Sequence, residues 1–327
     1  MAELSNQLMA LTVLAYLAAM VCYAGEYAFG KRSRIGKAAA RPARQLVGAG
    51  APADAEVPDD VPVQPVSPPK PGRGEWSGRI AAVLNVLALV LHLGTLATRG
   101  IAADRMPWGN MYEYILSATF VGSAVWVGVL LRRPALRHLG LFSSLALVVL
   151  LGAAALVAYT PVGPLVPALH SYWFIVHVST VIISSGIFLI GAVPALMFVI
   201  KNGYDEGRRS FPYTLGKRVP TPAAVLERLT FRLHAFAFPL FTFGALIAGP
   251  LWAEASWGRY WGWDPKEVWA FISWIVYAAY LHARATPSVK RTVATWIALF
   301  GFVTMLMNLF GVNLFFEGLH SYANAGD

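Results

Sequence analysis

The stretch SWGRYWGWDPKEVWAF, Ser256 to Phe271, sets Trp257, Tyr260, Trp261, Trp263, Trp269 and Phe271 among Arg259, Asp264, Lys266 and Glu267. A soluble core does not interleave rings and charges in this way, because each buried charge needs a partner or water. The stretch therefore lies at a boundary. Composition identifies that boundary as a membrane. Of 327 residues, 57% are hydrophobic and 13% charged, and the mean hydropathy of +0.55 is far above that of a globular domain.

Outward from the stretch, eight apolar runs are long enough to cross about 30 Å of hydrocarbon as helices. They cover residues 7–29, 79–98, 112–131, 139–160, 174–200, 234–253, 268–285 and 292–316. The expected fold is an all-α polytopic membrane protein of eight transmembrane helices. The first run has no basic segment before it, and Lys31, Arg32 and Arg34 follow it, so it reads as a retained anchor rather than a signal peptide. Residues 30–78 are rich in Pro, Ala and Gly with no apolar period. They read as a disordered cytoplasmic linker, which leaves 79–327 as a seven-helix core.

Charge orients these spans. Lys and Arg concentrate in 30–78, 132–138, 201–233 and 284–291, which are alternate loops, and the positive-inside rule places all of them in the cytoplasm. Both termini and the loops 99–111, 161–173 and 254–267 then face outward from a plasma membrane. The formal charge of +9 is thus a topology signal and gives no reason to expect nucleic acid. In 201–233, Thr221-Pro222 followed by an apolar period predicts a cytoplasmic helix leading into the sixth span. The single cysteine, Cys22, lies inside the first span and excludes an internal disulfide, a CxxC pair and a CxxCH haem attachment site.

With a direction attached, the opening stretch is an outward loop at about 254–267. Trp and Tyr gather at membrane interfaces for generic reasons, but a belt does not explain a cluster at one loop with Gly258 and Gly262 interleaved. Glycine permits close approach, and large aromatic faces suit a flat macrocycle such as a porphyrin. The sequence DPKE has the grammar of a helix start, with Asp264 at the N-cap, Pro265 at N1 and Glu267 at N3. Asp264 is on that reading a cap that fixes the end of the loop. Arg259 and Lys266 could pair with the propionates of a porphyrin or with Asp264 and Glu267. Glu113, in PWGNMYEY at 107–114, reads as a first-turn acid favoured by the helix dipole or as a polar contact at the site.

Seven histidines remain to be sorted. His92, His138 and His234 read as structural. His170 and His177 stand at the outer edge of the fifth span, His320 follows the eighth, and His282 lies toward the inner end of the seventh. On one helix His170 and His177 would be about 10.5 Å apart, whereas two axial imidazoles on one metal approach within roughly 4 Å. An outer metal would therefore take one histidine from before the aromatic loop and His320 from after it.

The loop WGRYWGWDPKEVW resembles the tryptophan-rich WWD signature of haem-handling proteins in cytochrome c maturation. The order PWGNMYEY, LHSYWFIVHVS, WWD loop, YLHAR and GLHSY is similar to the CcsA/ResC family (CcsB in some lineages) of the system II pathway, over most of 79–327. The resemblance implies that haem b is delivered to the outer face and attached there to a CxxCH apocytochrome c. It implies His177 and His320 as the two outer axial ligands, under a cover that includes Trp257, Trp261, Trp263, Asp264 and Trp269. It implies His282 as a ligand to a haem within the membrane, whose other ligand comes from a separate ResB/Ccs1-like membrane protein. His170 has no firm counterpart in that pattern and is retained only as a candidate haem contact. Thioether formation needs reduced thiols, which a thiol-reducing protein would supply. Neither a Ser/His/Asp set nor a metal-water site is apparent, so "enzyme" fits this chain only as the haem-handling subunit of a synthase complex. A bis-histidine b-type electron-transfer protein, a transporter of another aromatic solute and a structural membrane subunit are the competing readings.

Overall fold

The computed structural model describes residues 1–29 and 72–320, and most of the stretch read as a disordered linker lies outside them. Among the described residues the chain is helical, without strands. The long helices are α1 (Ala2–Phe29), α2 (Arg73–Ala103), α3 (Met111–Arg132), α4 (Gly140–Val157) and α5 (Tyr172–Asp205). After them come α6 (Ala223–Phe243), α7 (Gly249–Trp257), α8 (Pro265–Ala285), α9 (Arg291–Leu306) and the short α10 (Val312–Phe315). Seven helical stretches are long and apolar enough to cross a membrane. The stretch expected as the remaining span, α8, is 21 residues long and could reach about 31 Å. Its Trp269, Trp274, Tyr277, Tyr280 and His282 make it less apolar than the others.

Two boundaries differ from expectation. The composition of 30–78 predicts a linker up to residue 78, yet α2 already begins at Arg73. The helix signalled by Thr221-Pro222 does start at Ala223, but it is not separate from the sixth span. The two form one apolar stretch from Ala223 to Trp257, with a π-helical turn at Gly244–Ala248 joining α6 to α7. A second π turn, Met307–Gly311, joins α9 to α10. Such insertions push one residue out of the helical register and collect at functional sites.

Between helices in lipid there is little hydrophobic driving force, so close packing and polar contacts hold the bundle. A Cβ at Gly186 would stand 2.6 Å from the Ala118 carbonyl oxygen, so the absence of a side chain lets α5 approach the α3 backbone. The first helix packs along α2 and against α4. Its Ser5 hydroxyl donates to Thr95 O at 2.9 Å, and its Tyr16 hydroxyl to Ser123 Oγ at 2.6 Å. The anchor is therefore part of the bundle.

Candidate functional site

Three helices start at one end of the bundle, each with a side-chain cap. Asn110 accepts from Glu113 N at the start of α3, Ser171 from Trp173 N at α5, and Asp264 from Lys266 N at α8. A cavity of about 190 Å³ opens among these starts, α7 and the junction of α9 with α10. It brings together Trp108, His177, Trp252, Trp257, Trp261 and His320, among others. Residues of the loops 99–111 and 254–267 thus meet at one site.

The loop before α3 is built by a buried ion cluster. Glu113 is fully buried and takes Arg99 Nε at 2.9 Å and Arg105 Nη1 at 2.7 Å. The same carboxylate accepts from Gly109 N at 2.7 Å. Glu113 therefore does not reach the cavity itself, and it holds Trp108 and Gly109 against it.

His177 lies in the second turn of α5. Its Nδ1 donates to Gly244 O at 2.8 Å, a carbonyl in the first residue of the π turn that also accepts from Gly249 N. The imidazole stacks on Trp252, with centroids 5.4 Å apart and planes 16° from parallel. Trp252 is fixed in turn by donation from its indole N–H to Ala168 O at 2.9 Å. The Trp252 ring also meets His320 edge-on, again at 5.4 Å.

His320 is held from the aromatic loop. Its Nδ1 donates to Asp264 Oδ2 at 2.7 Å, while Leu319 N donates to Oδ1 at 2.7 Å. Asp264 also completes a capping box with Glu267, whose Oε2 accepts from Gly262 N and Asp264 N. Cap and histidine tether are therefore the same carboxylate. Burial alone would raise the Asp264 pKa, but the bond and charge of His320, with the Leu319 and Lys266 amides, hold it below the usual carboxylate value. In both histidines an acceptor at Nδ1 selects the tautomer whose lone pair is on Nε2, the arrangement that orients a metal-ligating imidazole.

The remaining candidates fall elsewhere. Trp257 and Trp261 line the cavity, while Trp263 is 67% exposed at the rim in a left-handed conformation with φ 58°. Trp269 is on α8, outside the lining. His170 is exposed and precedes α5, so it never shares a helix with His177 and does not line the cavity. His282 is exposed near the far end of α8. His138 pairs with the Thr221 hydroxyl at 2.8 Å and His234 with Thr230 O at 2.8 Å. Sequence reasoning missed Trp252 and the Gly244 carbonyl. Gly244, Gly249 and Pro250 inside an apolar run were the available signal for an irregular helix there.

Among the described residues no group of three or more His, Cys, Asp or Glu side chains could hold a bare metal ion. Two imidazoles on an aromatic cavity are the kind of donor set that a metal already carried by a flat macrocycle would need. Residues 108–320 match a family model described as Cytochrome C assembly protein. Proteins named cytochrome c biogenesis protein CcsA are similar over most of their length. That of Guillardia theta is 34% identical, covering 72% of this chain and 83% of its own. That of Gloeobacter violaceus is 32% identical over 73% and 84%, and that of Synechocystis is 32% identical over 78% and 90%.

Proposed function

The chain belongs to the cytochrome c assembly protein family, and from that premise we propose that it acts in cytochrome c maturation by holding haem b between His177 and His320. The aromatic loop faces the outside of the plasma membrane and presents the haem to a CxxCH apocytochrome c. The observation that carries this reading is the pair of Nδ1-anchored histidines on one aromatic cavity, each meeting the Trp252 ring at 5.4 Å.

Each thioether forms by addition of a cysteine S–H across a haem vinyl group, giving one C–S and one C–H bond with no net oxidation. This chain's residues contribute position. Gly244 O and Asp264 aim the two imidazoles, Trp257 and Trp261 wall the cavity, and Glu113 fixes the Trp108 loop. Such orientation lowers the barrier by prepaying rotational freedom. A ResB/Ccs1-like partner completes the complex through the exposed His282 on α8.

The test is the visible spectrum of the purified protein. Wild type should give a low-spin six-coordinate haem, and His177→Ala and His320→Ala should each lose it and regain it with added imidazole. Wild-type spectra in both variants would overturn the ligand assignment.

A further inference from the structure

Two axial histidines leave one degree of freedom unfixed, the rotation of a macrocycle about the axis through its metal. Thioether chemistry requires that rotation to be set, because the vinyl groups occupy particular edges of the ring. Lys266 is a cationic residue that lines the same cavity as His177 and His320. Among the described residues its ammonium makes no hydrogen bond and no salt bridge, and its charge is met only by the attraction of Asp264. The nearby acids are already committed, Asp264 to His320 and Leu319, and Glu267 to Gly262 N and Asp264 N.

Helix stability does not account for the residue. It stands in the first turn of α8, where the macrodipole disfavours a cation. The caps of α3, α5 and α8 turn three positive helix ends toward the same end of the bundle, which adds to the field there. A half-buried cation with no hydrogen-bonded partner, lining an aromatic cavity, fits a ligand that brings its own anion.

Resting on the haem reading of this cavity, we propose that Lys266 binds a carboxylate of the porphyrin, a haem propionate, and thereby sets the in-plane orientation of the ring. The propionate edge lies toward the start of α8, and the axial histidines control only the distance and tilt.

The full-length chain, freed of haem in detergent, is titrated with ferric protohaem and with its dimethyl ester, for wild type, Lys266→Met and Lys266→Arg. Wild type should prefer the free acid by roughly tenfold or more, the scale of a hydrogen bond to a charged group. Lys266→Met should bring that ratio near one while keeping the six-coordinate spectrum with either porphyrin, and Lys266→Arg should restore most of the preference. An unchanged ratio in Lys266→Met overturns the role of Lys266 alone. If neither porphyrin gives wild type a six-coordinate spectrum, the haem reading fails and takes this inference with it.

Discussion

Asp264 Oδ2 and His320 Nδ1 are 2.7 Å apart, so the residue that starts α8 also aims an imidazole 56 positions later in the chain. The two roles are separable by substitution. Serine is a good N-cap but cannot reach His320 as a carboxylate does. Asp264→Ser should keep thermal stability within about 1 kcal/mol of wild type and weaken haem binding by roughly ten- to a hundredfold. Equal losses in Asp264→Ser and Asp264→Ala, in melting and in haem titration alike, would show the cap to be all that matters.

The same pair gives a pH dependence with a definite sign. Asp264 is held below its ordinary pKa in the folded protein, so its contribution is complete above about pH 4 and is lost as pH falls through the folded value. Release of the His320 segment should appear as a fluorescence change of Trp257, whose ring is 5.1 Å from His320, only below about pH 4. Asp264→Asn should lack that transition. Its persistence in the variant would assign it to another group.

Gly318 tests the tether from the opposite side. A Cβ there would stand 2.4 Å from Asp264 Oδ1, so Gly318→Ala should displace the carboxylate and convert haem from six- to five-coordinate. Gly163→Ala, where a Cβ meets nothing within 4 Å, serves as the tolerated control. A six-coordinate spectrum in Gly318→Ala would mean that the segment can shift without losing the ligand.

Glu113 bears on the frame of the cavity. Removing the negative member of a buried cluster leaves Arg99, 1% exposed, uncompensated. Glu113→Gln should therefore destabilise the protein by about 3–5 kcal/mol, read as a lower melting temperature and faster proteolysis between α2 and α3. A melting temperature unchanged from wild type would sink this account.

His282 stands exposed near the end of α8 away from the cavity. His282→Ala should lower haem occupancy in a complex with a ResB/Ccs1-like partner and leave the His177–His320 spectrum intact in the isolated chain. Normal cytochrome assembly with undiminished haem in that complex would reduce His282 to a surface residue.

The sequence by itself determined the class of fold, because backbone polar groups in lipid must be satisfied within helices and apolar length reports each crossing directly. It also identified the aromatic loop, the cap at Asp264 and the histidines at outer helix ends, since caps and helix-end positions are local properties of the chain, whereas the choice of His177 over His170 came only from the resemblance to the CcsA/ResC family. Only the tertiary structure decided which of these meet. It seats His177 and His320 on one cavity, puts Trp252 in ring contact with both, and leaves His170, Trp263 and Trp269 outside the lining. It also shows Asp264 to be cap and tether at once, and the Gly244 carbonyl to be the partner of His177. The physical reason is register. A π turn shifts side chains around the helix axis by a fraction of a turn, and a tether joins residues whose separation along the chain carries no period to read.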